Sequence, residues 1–276
     1  MGEQWEGDIS PSHRKENMFS EDIMTAANAA KGKYHLLKSN PGGYFLASIL
    51  AGVFIGFGVL LAFTVGGLLN GNPIGKILMG CAFGIALSLV VIAGGELFTG
   101  NNLVMTIGAA QKTVTPAACL KIWGVSYIGN LVGSILLAVI FVGCGLATGA
   151  VGEFMSGAAA TKMALSPLAL ICRGALCNML VCLAIWCSFR CKSESGKLIM
   201  VFWCLLAFIT TGFEHSIANM TLLTVSLLAP AADAAVSLGG EVYNLLLVTL
   251  GNMIGGIMFV ALPYLGIAKA KREKAA

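Results

Sequence analysis

Residues 94–103 read GGELFTGNNL and residues 210–220 read TTGFEHSIANM. Both stretches lie inside otherwise apolar runs. Each carries glycine, then a glutamate, then an asparagine five residues beyond it: Glu96 with Asn101, Glu214 with Asn219. An uninterrupted membrane helix has no use for this composition, because an ionisable group at membrane depth costs roughly 2.5 to 3.5 kcal/mol on insertion scales. Backbone groups freed by a break are tolerated there only where they line a cavity or are buried in protein. The two stretches therefore read as breaks in the second and fifth of a set of membrane helices, and they are where function is to be sought.

The rest of the chain agrees with a membrane setting. Of 276 residues, 57% are apolar and only 11% charged, against roughly 25% charged in soluble domains. Six apolar stretches run at about 44–69, 76–98, 117–148, 165–189, 198–228 and 241–265, each near or above the ~20 residues that a crossing helix needs. Residues 1–37 are polar and mixed in charge, lack the apolar core of a cleavable signal, and read as a cytoplasmic tail. Residues 38–266 form a six-helix transmembrane domain, and residues 267–276 a second cytoplasmic tail. With both termini inside, only Lys76, Lys162 and Arg173 of the seventeen Lys and Arg remain for the membrane or its outer side. That asymmetry predicts a multi-pass protein of the inner membrane with cytoplasmic termini. It also accounts for the net charge of +4 with no nucleic-acid partner.

Cys172, Cys177, Cys182 and Cys187 fall at intervals of five. Such a step turns too far around a helix to gather metal ligands on one face, so the cysteines read as small apolar fillers. No phosphate-binding loop or His/Cys ligand set is visible, and neither a cofactor nor a metal is expected.

The two breaks also belong to a longer correspondence. GNLVG (Gly129, Asn130, Gly133) follows the first, and GNMIG (Gly251, Asn252, Gly255) follows the second; the separations from Asn101 to Asn130 and from Asn219 to Asn252 are 29 and 33 residues. The chain reads as a duplicated three-helix unit. Three crossings per unit is an odd number, so the halves run in opposite senses, with one interrupted helix from each.

Taken together, GGELFTGN, YIGNLVG, RGALCNMLVCLAIW, GFEHSIANM and LGNMIGG resemble the successive signatures of the formate/nitrite transporter family, in order from about Lys38 to Leu265. The resemblance implies an all-α, aquaporin-like subunit in a homopentamer embedded in membrane lipid. Each subunit is expected to have its own pore for a small monovalent anion such as formate, nitrite, hydrosulfide, acetate or lactate. It also implies roles for single residues. Thr99 matches the family's loop threonine and His215 its pore histidine. Phe83 and Phe208 match apolar constrictions toward the outer side, and Leu87, Phe98 and Val181 those toward the inner side. Lys162 matches the basic residue near the outer entrance. Many members place Asp where this chain has Glu96.

The residues support these roles with alternatives beside them. An imidazole that titrates near pH 6.5 when unperturbed can switch form around physiological pH. His215 therefore either lends a proton or a hydrogen bond to an arriving anion, or stays neutral and orients Thr99. Thr99, on a non-helical loop, either bonds the substrate or His215, or caps the second half-helix. Glu96, Asn101, Asn178, Glu214 and Asn219 read as scaffold, with the carboxylates on free N–H groups at the half-helix starts; Asn130 and Asn252 read likewise. Lys162, in a polar loop, is expected to raise anion concentration at the mouth. Arg173 either pairs with Glu153 or sits between subunits. Two other classes stay open: a neutral-solute channel, although the paired Asn-Pro-Ala signature is missing and Asn72-Pro73 stands alone, and a membrane enzyme using Glu214 and His215 as an acid/base pair. The expectation is a transporter, not an enzyme.

Overall fold

Capping side chains followed by proline start three of the long helices. Asn40 accepts from the Gly43 amide ahead of Pro41, Thr115 from Ala118 ahead of Pro116, and Ser166 from Ala169 ahead of Pro167. Proline suits this place, since its missing N–H is one that a first turn leaves unpaired anyway. Ser193 and Ser237 cap two further helices in the same way without proline.

The computed structural model describes residues 11–69 and 71–269, and every regular element among them is helical. In chain order these are α1 (Pro11–Ser39), α2 (Pro41–Leu68), α3 (Gly75–Leu89), α4 (Phe98–Ala110), α5 (Pro116–Gly143), α6 (Gly149–Met163), α7 (Pro167–Arg190), α8 (Glu194–Thr211), α9 (Ser216–Leu228), α10 (Leu238–Gly256) and α11 (Leu262–Lys269). A π-helical turn, Val90–Gly94, extends α3, and another, Ile257–Ala261, joins α10 to α11. Six runs are long and apolar enough to cross a membrane: α2, α3 with its π-turn, α5, α7, α8, and α10 through α11. Helices α4 and α9 have 13 residues each. At 1.5 Å per residue they reach only ~20 Å, against a hydrocarbon core of ~30 Å. They are half-helices that complete α3 and α8, which puts the interruptions in the second and fifth crossings as the sequence suggested.

The protein is an all-α membrane protein of two inverted three-helix halves, and its packing repeats accordingly. In one half α2 lies on α5, where Gly133 meets the Ile49 carbonyl with no room for a Cβ; in the other α7 lies on α10, where Gly255 meets the Ala175 carbonyl in the same way. Apolar lipid gives helices little reason to associate, so such close backbone approach supplies the contact that holds them.

Besides α4, which begins where the second stretch ends, two helices fall outside the six stretches. Residues 11–39 form α1, whose stripe of Ile23, Ala26, Ala27 and Ala30 is buried against the ends of α4, α7 and α11. Asp22 of α1 pairs with Arg190 at 3.0 Å; burial nevertheless holds its carboxyl above the usual range, with the guanidinium pulling the other way. The second is α6, in the segment read as a polar joint. Its Met155, Ser156 and Ala159 are buried, so its small residues bury a face despite a composition that resembles a loop.

Candidate functional site

Each break begins with a glycine in the left-handed region, Gly94 at φ 88° and Gly212 at φ 79°, a conformation that a Cβ disfavours. Two residues later the backbone is tied down. The Glu96 amide donates to the Ala47 carbonyl at 3.0 Å and the Glu214 amide to the Arg173 carbonyl at 3.2 Å. An asparagine from the last helix of each half completes the junction. Asn130 Oδ1 accepts from the Phe98 amide at 3.0 Å, while its Nδ2 donates to the carbonyls of Ser48 and Glu96 at 2.7 and 3.0 Å. Asn252 Oδ1 accepts from the Ser216 amide at 2.9 Å, and its Nδ2 donates to the carbonyls of Gly174 and Glu214 at 2.8 and 2.9 Å. The same side chain solves the same problem twice, since every backbone group released by a break needs a partner in a water-poor interior.

This arrangement corrects the expected use of the glutamates. Their carboxylates do not bond the half-helix N–H groups, because the asparagines already do. Glu96 instead accepts from Lys33 Nζ at 2.8 Å, Tyr44 Oη at 3.0 Å and Asn101 Nδ2 at 3.3 Å. Glu214 accepts from Lys162 Nζ at 2.7 Å and Asn219 Nδ2 at 2.7 Å; Asn219 also donates to Asn244 Oδ1, at 2.8 Å. Lys162 lies in the last turn of α6, not in a loop. Lys33 was missed, although the repeat held the signal: a second Glu and Asn at the spacing of Glu214 and Asn219 calls for a second lysine. The repeat thus includes the helix preceding each half, α1 with Lys33 and α6 with Lys162.

The halves differ at the cap of the half-helix. The residue before α4 is Leu97, which offers no side-chain bond, whereas the residue before α9 is His215, whose Nδ1 accepts from the Ala218 amide at 3.1 Å. An accepting Nδ1 leaves the proton on Nε2, which lies 3.0 Å from Thr99 Oγ1. We therefore assign a neutral imidazole that donates to the threonine, leaving the threonine's own proton for an incoming acceptor. Thr99 is fully buried in the first turn of α4, so it neither sits on a loop nor caps the helix. Behind it Asn178 Nδ2 donates to the Asn252 carbonyl at 2.7 Å and lies 3.4 Å from the Thr99 carbonyl. Glu214 and His215, adjacent in sequence, spend their side chains on different partners and do not form an acid/base dyad.

Two cavities approach this pair. One, of about 260 Å³, is lined by Lys76, Lys162, Arg173, Glu214, Asn219 and His215 together with Phe63, Phe83, Phe154 and Phe208. The other, of about 280 Å³, is lined by Lys33, Leu97, Asn101, Val104 and Ile185 among others. Between them is a neck of about 10 Å³ walled by Ile55, Phe83, Leu87, Leu97, Val181, Leu205, Phe208 and His215. The Phe83 and Phe208 rings meet edge to face at 5.4 Å, and Phe208 stacks on His215 at 6.0 Å. Phe98 is absent from this wall, contrary to expectation. Its ring packs edge-on against Tyr127 at 5.0 Å, and its neighbour Leu97 faces the neck. Arg173 has no carboxylate within ion-pair distance among the described residues and lines the Lys162 cavity instead of pairing with Glu153.

A family model described as formate/nitrite transporter matches residues 20–266. The chain belongs to the formate/nitrite transporter family. The nitrite transporter NirC of Salmonella typhimurium is 41% identical over 249 residues, covering 90% of this chain and 91% of its own. The formate channel FocA of Escherichia coli is 31% identical over 263 residues, covering 88% and 90%. Among solved structures, a formate/nitrite transporter family ion channel superposes with a TM-score of 0.85 at 39% identity, over 90% of this chain and 98% of that one. A pentameric formate channel with formate bound gives 0.74 at 32% identity, over 82% and 96%. This member of the formate/nitrite transporter family thus has the fold of the channels it resembles, with the His215–Thr99 pair beside the neck.

Proposed function

We propose that this chain forms a homopentameric channel of the inner membrane for small monovalent weak-acid anions, nitrite and formate foremost, with one pore per subunit and both termini in the cytoplasm. The distribution of Lys and Arg supports this orientation and makes the Lys162 cavity the outer vestibule and the Lys33 cavity the inner one. The likeness to a nitrite transporter and to a formate channel supports the substrate class, and the pentameric relative supports the assembly.

One observation carries the mechanism: His215, the one polar side chain in the wall of the neck, has its Nε2 3.0 Å from the hydroxyl of the buried Thr99. A bare anion is costly in such a wall. Lys162 and Lys33, each partly neutralised by its glutamate, draw anions into the vestibules without binding them tightly. At the neck the anion accepts from the Thr99 hydroxyl, which the His215 Nε2–H bond holds in place, takes up a proton supplied through the vestibule water, and passes the apolar ring as the neutral acid. His215 assists by holding the threonine hydroxyl toward the acceptor and stabilising the anion at the moment of protonation. Glu214 and Lys162 stay in the frame around it.

The test is influx of formate, nitrite, hydrosulfide, acetate and lactate into proteoliposomes at several external pH values, for the wild type, His215→Asn and Thr99→Val. Formate and nitrite influx is expected to rise as external pH falls. Thr99→Val should lower it roughly tenfold or more, as loss of a bond to a charged group implies, and His215→Asn should lower it at every pH, because the bond that orients the threonine is lost. Wild-type influx in His215→Asn overturns the role given to the histidine. Glycerol or urea permeation without anion flux makes the pore a neutral-solute channel.

A further inference from the structure

The outer vestibule is built for more than the proposed permeants require. It holds about 260 Å³, close to the lower end of the roughly 300 to 1,000 Å³ usual for small-molecule sites, whereas the neck below it holds about 10 Å³. Its wall has two chemical faces. Phe63 and Phe154 lie with ring centroids 5.9 Å apart, and Phe154 is seated against Gly66, where even a Cβ has no room. Lys76, Lys162 and Arg173 line the same space. Lys162 is held by Glu214 at 2.7 Å, while Lys76 and Arg173, both exposed, have no carboxylate within ion-pair distance among the described residues. Two uncompensated cations beside a pair of aromatic rings match an anion that carries an apolar ring of its own.

We propose that the outer vestibule binds aromatic monocarboxylates, which enter from the Lys162 side, place the carboxylate at Lys76 and Arg173 and the ring against Phe63 and Phe154, and cannot pass the neck. Occupancy closes the pore to smaller anions arriving from that side. The blocking role rests on the channel reading above; binding itself does not.

Benzoate is the probe. Equilibrium binding of labelled benzoate to the purified full-length protein in detergent should be saturable, not displaced by the equally shaped but neutral benzamide, and about tenfold weaker in a Lys76→Gln, Arg173→Gln double variant, as loss of charge-assisted contacts implies. In proteoliposomes, external benzoate, and benzenesulfonate as an anion that stays charged, should slow formate uptake, with neither carried inward by the protein. Equal competition by benzamide, unaltered binding in the charge variant, or benzoate carriage as fast as that of formate overturns the proposal. Formate and nitrite flux with no saturable benzoate binding overturns the vestibule site alone. Benzoate binding without any anion flux overturns the channel reading and the blocking role, and leaves the binding site standing.

Discussion

A single position in the chain separates Leu97 from Phe98, and the width of the neck depends on which of them faces it. Leu97 does, while Phe98 opens α4 and turns its ring onto Tyr127. Truncating Leu97 to Ala should therefore widen the neck and raise acetate uptake relative to formate by about tenfold, the discrimination that small changes in an apolar pocket produce. Phe98→Ala should lower stability by about 3 kcal/mol and leave the ratio untouched. Parallel uptake of the two acids by the two variants decides it; an altered ratio in Phe98→Ala restores the reading made from sequence alone. The error has a physical origin. Within a regular helix the period fixes which side chain faces a path, but in the extended segment between Gly94 and α4 no period applies. Phe83, Leu87, Val181 and Phe208, which the family resemblance and not periodicity marked as constrictions, all line the neck, and His215 was conspicuous as the one histidine beyond the tail.

At the scale of elements, each half-helix hangs on one asparagine. Asn252 holds the Ser216 amide and the carbonyls of Gly174 and Glu214. Its replacement by Ala strands all of them, at about 1 to 3 kcal/mol for each group left unpaired. We expect Asn252→Ala, and Asn130→Ala by the same reasoning, to lower the unfolding temperature in detergent far more than the removal of one side chain elsewhere in α5 or α10. Wild-type melting in both variants would mean that the half-helices are held by packing alone. The duplication made these asparagines legible, because GNLVG and GNMIG recur at matching distances from the breaks. Helices α1 and α6 were not legible. The buried face of α1 is mostly alanine, Ala26, Ala27 and Ala30 beside Ile23, a stripe too slight to stand out from its charged surroundings. The glycines and alanines of α6 likewise resemble a loop until neighbours cover them.

For the whole molecule, duplication supplied a frame with two matching ends, and a single difference gave it chemistry. Lysine, glutamate and asparagine recur at both vestibules, but the equivalent cap positions hold Leu97 on one side and His215 on the other, so the polar pair stands beside an otherwise apolar wall. That wall leaves room for about one water molecule, and seven of its eight side chains are apolar. A neck this small and apolar sheds water. Proteoliposomes given a hyperosmotic shock should therefore shrink no faster than empty vesicles, although the helix arrangement is aquaporin-like; stopped-flow light scattering reads the rate, and fast shrinkage would reveal a hydrated path. The consequence reaches the energy economy of the cell. With no file of water there is no wire along which protons can hop, so the pore as proposed would not drain an electrochemical gradient across its membrane. On the mechanism proposed above, protons cross only as passengers on a weak acid, and their traffic stops when that acid comes to equilibrium.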